Sequence, residues 1–235
     1  VCICCSLISG TLYTKLGLPM PLCVILAILM GGLFGLANGL MVSVMRLPAF
    51  IATLGTMMIT RGLGSIVTNT ATMSFPQAFA PGGSFRGIFK LKGAGLPQAG
   101  IPTGFILLIV LAILMAILLN KARPGRYILS LGSNKEATRL SGVNVVKWET
   151  LAYVISGLFA GLAGVSYAAV YSTLMPGTGN GFELDAIAGV VIGGTSLAGG
   201  VGSIAGTLIG VFIMSVLKTG LPFVGVQPHY QLLIT

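Results

Sequence analysis

Few groups in this chain are equipped to do chemistry. Its four carboxylates are Glu136, Glu149, Glu183 and Asp185, and its single histidine is His229. General acid–base or nucleophilic catalysis needs a titratable partner within hydrogen-bond reach. His229 stands in GVQPHYQ without a nucleophile or metal-binding neighbour, at the mouth of an apolar segment where an amphipathic ring suits an interface. Glu136 and Glu149 lie in a basic connection, so only Glu183 and Asp185 are placed to join an ion-coupling relay inside a membrane. The four acids do not build a buried relay, and no G-x-x-x-x-G-K-[ST] phosphate loop occurs. No catalytic residue is assigned, and no nucleotide site in this chain.

The cysteines are Cys2, Cys4, Cys5 and Cys23, three of them inside VCICCSLISG. A metal would need thiolates, which lipid disfavours, and no histidine lies nearby, so no metal site is assigned and they read as small packing residues. Arg61 is the oddest charge, thirteen residues beyond Pro48 in an otherwise apolar stretch. At the bilayer centre an arginine costs about 2.5–3.5 kcal/mol on insertion scales. It either snorkels toward the outer interface or faces a polar path.

The most informative polar stretch is RPGRYILSLGSNKEATRLSGVNVVKWET. Within it Asn134 is placed to cap a helix, Glu136 suits the positive first turn, and Gly142 supplies a left-handed stop. The spacing predicts a helix of about two turns, too short to be stable alone. It must dock, either on its own bundle or on a soluble motor domain.

These residues require a membrane framework. Hydrophobic residues make up 55% and charged residues 7%, against roughly 25% charged in soluble domains, so a soluble fold would lack a polar surface. Mean hydropathy is +1.00. The 35 glycines suit helices that approach closely in lipid. The formal charge of +9 resides in short connections rather than on one basic face, which signals membrane orientation and not nucleic acid. A span needs about 20 apolar residues. Seven segments qualify as candidates: 1–12, 21–45, 48–68, 102–120, 151–173, 184–197 and 202–217, with an eighth starting near Tyr230.

The expected architecture is an all-α polytopic membrane protein. Residues 1–120 hold a truncated first span, three full spans and an outer loop at 69–101; 121–150 form a cytoplasmic connection; 151–235 hold the remaining spans, the last cut short. Lys121, Arg123, Arg126, Lys135, Arg139 and Lys147 place 121–150 inside by the positive-inside rule. Alternation then places Arg46 inside and the outer loop, with Arg86, Lys90 and Lys92, outside, a conflict that the denser cluster decides. The segment 184–197 is either a short span or a re-entrant half-helix, since irregular backbone at membrane depth is tolerated only against protein or water. Gly31, Gly35 and Gly39 are echoed by Gly202, Gly206 and Gly210 on a span of opposite direction. That is either generic helix packing or an inverted repeat. Val1 and Thr235 both fall inside apolar runs, so the chain reads as a fragment.

Three ordered motifs carry a resemblance: LPAFIATLGTMMITRGL at 47–63, GSNKEATRLSGVNV at 132–145, and GFELDAIAGVVIGGTSLAGGVGSIAGTLIG at 181–210. In these the chain resembles the permease subunits of bacterial ribose-type sugar importers of the ATP-binding-cassette class. The resemblance implies a ten-span subunit of the bacterial inner membrane, with two spans before Val1 and the tenth cut at Thr235. It implies pairing with a second permease subunit, with ATPase subunits that bind ATP and magnesium, and with a periplasmic sugar-binding protein. It further implies that Asn134, Lys135, Glu136, Ala137, Thr138, Arg139, Leu140, Ser141 and Gly142 form the helix received by the ATPase. A hydrated sugar needs weak hydrogen-bonding partners along its path, and the candidates are Thr53, Thr56, Arg61, Glu183, Asp185, Thr195 and Ser196. The rival readings are a permease of the same class for branched-chain amino acids or another small solute, an ion-coupled secondary transporter, and a structural membrane subunit.

Overall fold

A computed structural model describes residues 1–75, 103–171 and 173–225. His229, the eighth segment near Tyr230 and all of the outer loop beyond Phe75 lie outside them. The described chain is helical, with helices α1 (Cys2–Leu16), α2 (Met20–Ser43), α3 (Ala49–Thr68), α4 (Thr103–Asn120), α5 (Arg123–Ser133), α6 (Lys135–Leu140), α7 (Val145–Tyr171), α8 (Phe182–Ile192) and α9 (Ile204–Phe223). The purely helical expectation misses one small ribbon, in which β1 (Met73–Ser74) pairs antiparallel with β2 (Thr173–Leu174).

The helices α2, α3, α7 and α9 are each long and apolar enough to cross a membrane, and α4 with α5 forms a further candidate bent by 68°. Large apolar side chains face outward on them, as lipid requires: Phe50 is 74% exposed, Ile66 72% and Val216 68%. The chain is a polytopic α-helical membrane protein.

Two compact units divide the chain, 1–109 with 144–178, and 110–143 with 179–235. In the first, α2 and α7 run antiparallel along a glycine seam. Gly31 meets Gly157 and Gly161, Gly35 meets Tyr153 and Val154, and Gly39 meets Thr150. Without side chains in the seam the backbones come close enough for dispersion and weak C–H···O contacts to hold them where lipid supplies no hydrophobic drive. Ser43 and Thr150 hydroxyls add a 2.7 Å hydrogen bond at one end. At the other end Leu7, Met20, Cys23, Phe75, Ala168, Ala169 and Leu174 form a core cluster, and the ribbon ties the segment after α3 to the segment after α7. The antiparallel run of α2 and α7 agrees with the alternation read from the charges.

In the second unit the part of α4 from Val110 onward turns into α5 and α6, while α8 and α9 form an antiparallel hairpin in which Gly189 and Gly193 face Gly210 and Gly206. The glycine echo is thus used twice for the same purpose, α2 on α7 and α9 on α8. Gly202 departs from it, because it precedes α9 and abuts the Thr195 side chain instead.

Of the two alternatives for 184–197, a short span or a half-helix, the structure has the half-helix, and the limits of two other segments differ from expectation. The helix α8 has 11 residues, about 16 Å, roughly half the hydrocarbon core. It stops because Gly194 takes a left-handed φ of 83°, and the backbone then turns through Thr195 and Ser196. The helix α7 begins at Val145 and not near 151, since Asn144 caps it by accepting the Lys147 N–H at 3.1 Å. The helix α9 continues to Phe223, past the expected 217.

Candidate functional site

The connection at 121–150 is mostly helical. Arg123 and Pro124 begin α5 in the first-turn position where a missing N–H costs nothing. Its strongly amphipathic sequence and the 68° bend from α4 suit a helix lying along the membrane surface. It leads through Asn134 into α6.

The helix α6 has the caps read from the sequence. Asn134 accepts the Ala137 N–H on Oδ1 at 2.9 Å, Glu136 and Arg139 face each other at 4.0 Å on the exposed surface, and Gly142 has φ 79° with its N–H donating to Arg139 at 3.0 Å. Ser141 Oγ donates to the Ala137 carbonyl at 3.0 Å, and Thr138, the buried residue of the helix, donates to the Asn134 carbonyl at 2.8 Å. Lys135, Glu136, Ala137 and Arg139 are exposed. Leu140 is 82% exposed, an apolar side chain held outward by a helix with only one buried residue. Between α5 and α6 lies an open groove of about 660 Å³ lined by Arg123, Arg126, Tyr127, Ser130 and Ser141 among others. The helix is small, capped at both ends and exposed beside a basic groove.

The expected path residues fall into two sets, one in each unit. In the first unit, Thr56 is buried and its hydroxyl lies 2.5 Å from Asn38 Oδ1 and 3.1 Å from the Ala52 carbonyl. It works as an interhelical polar contact between α2 and α3. Thr53 turns its hydroxyl to the Ala49 carbonyl of its own helix at 2.9 Å. Arg61 is half-buried on α3 and has a polar or electrostatic partner.

In the second unit, Glu183 and Asp185 sit in the first turn of α8, where the helix dipole favours carboxylates. Asp185 Oδ2 binds Lys218 Nζ of α9 at 2.5 Å. Ser196 Oγ accepts the Ala198 N–H at 3.2 Å and so shapes the tip of the hairpin beside Thr195.

Asn38 and Lys218 were not anticipated. Asn38 is the only Asn, Asp, Glu, Lys or Arg in α2, a signal that sequence inspection could have used. Lys218 was hidden by ending the last segment at 217.

The family model described as "Branched-chain amino acid transport system / permease component" matches residues 1–235. The ribose import permease protein RbsC of Escherichia coli strain K12 is 42% identical over 88% of this chain and 63% of its own length. The galactose/methyl galactoside import permease protein MglC of Haemophilus influenzae is 35% identical over 92% of this chain and 64% of its own. The xylose transport system permease protein XylH of Escherichia coli strain K12 is 32% identical over 93% and 69%. The chain therefore spans a little under two thirds of the ribose relative. No solved structure matches it. The full-length match to the family model, on an apolar helical bundle carrying a capped surface helix, makes this chain a member of the branched-chain amino acid transport system permease family.

Proposed function

We propose that the chain is part of the transmembrane subunit of an ATP-binding-cassette importer in the bacterial inner membrane, translocating a monosaccharide delivered by a periplasmic binding protein. The capped, outward-facing helix α6 is the observation that carries this reading. Its exposed Leu140 and charged neighbours are suited to a cleft in a soluble ATPase. Three relatives named for ribose, galactose or xylose import support a sugar as cargo. ATP and magnesium belong to the partner ATPase, which closes on nucleotide, pulls α6 and switches the central path of a permease pair between inward- and outward-facing. The chain itself performs no covalent chemistry.

The family description favours a second reading, branched-chain amino acids as cargo. The binding protein decides between them. Co-purification of the full-length permease with its ATPase and binding protein, followed by mass spectrometry of the ligand released from the binding protein, should yield a monosaccharide. Release of leucine, isoleucine or valine would replace the sugar reading.

A further inference from the structure

The tip of the α8–α9 hairpin rests on the stretch that leads into α6. Gly132 lies in the last turn of α5, two residues before Asn134, the cap of α6. A Cβ on Gly132 would fall 3.0 Å from the Gly199 carbonyl carbon and would overlap the Gly200 nitrogen. From the other side, a Cβ on Gly199 would lie 2.9 Å from Gly132 Cα, and one on Gly200 would lie 2.9 Å from Ser133 Cα. Carbon atoms pack comfortably at about 3.5–4.0 Å, so the two backbones meet with no room for a side chain between them. The side-chain atom nearest the contact is Ser133 Oγ, 2.5 Å from a Cβ on Gly200 and itself donating to the Leu129 carbonyl at 3.2 Å. Close-packed backbone passes strain on.

Behind the tip the hairpin is braced along its length. Ser196 N–H donates to the Val201 carbonyl at 3.0 Å across the tip, and Ser203 caps α9 by accepting the Gly206 N–H at 3.0 Å. The four glycines of the seam hold α8 to α9, and the Asp185–Lys218 ion pair closes the far end. A push on Gly199 and Gly200 therefore moves α8 and α9 as one piece. On the other side of the contact, only Ser133 and Asn134 separate Gly132 from α6, so a displacement of α6 has two residues of chain to cross before it reaches Gly132.

We propose that Gly132, Gly199 and Gly200 form the joint through which movement of α6 is handed to the α8–α9 hairpin, and that the hairpin is the lever that α6 drives. This rests on the reading of α6 as the helix gripped by an ATPase.

The test uses the full-length permease assembled with its ATPase and binding protein in proteoliposomes. With Gly132→Ala, the ATPase should still co-purify and hydrolyse ATP at the unaltered rate, while substrate taken up per ATP falls at least about threefold, in the range of known coupling effects. Unchanged uptake per ATP overturns the joint. Loss of ATPase co-purification also overturns it, since Gly132 would then belong to the docking surface.

A second measurement leaves the joint intact. Spin labels at Ala137 and Val201, both exposed, report the separation of α6 from the tip with and without nucleotide, while a label on the ATPase confirms that α6 moves. The separation should hold to within about 2 Å, and a change approaching one helical turn, about 5 Å, overturns the proposal. If the unaltered permease fails to bind any ATPase, the docking reading fails first. If it binds and hydrolyses but Gly132→Ala is indifferent, only the joint fails.

Discussion

Replacing Gly157 by alanine and Gly55 by alanine should move stability in opposite directions. On α7, a methyl at Gly157 would stand 2.9 Å from Gly35 Cα and 3.0 Å from its nitrogen, and would overlap the Gly31 carbonyl oxygen. Carbon contacts are comfortable at about 3.5–4.0 Å, so α2 and α7 must part by about 0.6–1 Å. Overpacking of that kind costs about 1–3 kcal/mol, against which alanine returns about 1 kcal/mol of helix propensity. The net change is a loss of about 0–2 kcal/mol. At Gly55 on α3 an added Cβ meets nothing within 4 Å, so only the propensity gain remains. The two variants should therefore differ by about 1–3 kcal/mol, with Gly157→Ala the less stable. Reversible unfolding of the purified protein in mixed micelles, titrated with a denaturing detergent, measures this directly. Equal stabilisation by both substitutions would refute the seam as the source of α2–α7 cohesion.

Three further outcomes follow from the same geometry. Asn38→Ala should cost only about 0.6 kcal/mol, the mean for polar contacts between membrane helices, because Thr56 keeps the Ala52 carbonyl as a second acceptor. The same unfolding assay checks it, and a loss above about 2 kcal/mol would mean that Asn38 does more than bridge α2 and α3. Asp185→Asn and Lys218→Gln should each loosen the hairpin, read as faster proteolysis of its loops, while the exchange Asp185→Lys with Lys218→Asp restores much of the protection. Failure of the exchange to restore any would show that the contact is incidental. Exchanging charge in Glu136→Lys with Arg139→Glu keeps an i,i+3 pair but opposes the helix dipole, at about 0.3–1 kcal/mol per charge. Membrane insertion should survive, with uptake uncoupled from hydrolysis. Normal ATP-driven uptake by that variant would sink the docking role of α6.

The sequence was most legible where one residue type has one use. Asn134 fixes a local hydrogen bond, Glu136 places a charge in the first turn and Gly142 fixes a dihedral angle, and the helix they mark is present at Lys135–Leu140. The long apolar segments were equally readable, because lipid leaves helices no choice but to satisfy their own backbone. Hydropathy alone does not see a break, since Gly193 and Gly194 are neutral on any transfer scale, and 184–197 stayed open between a short span and the half-helix that ends at Ile192. The helix α5 was hidden by Pro124, Gly125 and Gly132, which read as loop residues yet fit a first turn and a tight helix contact. Partners such as Asn38 with Thr56, or Asp185 with Lys218, depend on which helices adjoin. Spacing along one chain does not supply that.

In the proposed importer, energy reaches the bundle through α6 and not through an ion relay within it. Uptake measured in proteoliposomes containing the full-length permease, its ATPase and its loaded binding protein tests this most directly, with and without ATP and with proton and sodium gradients collapsed. Uptake should require ATP and the ATPase and be indifferent to both gradients. Uptake that persists without the ATPase and vanishes when either gradient is collapsed would contradict it.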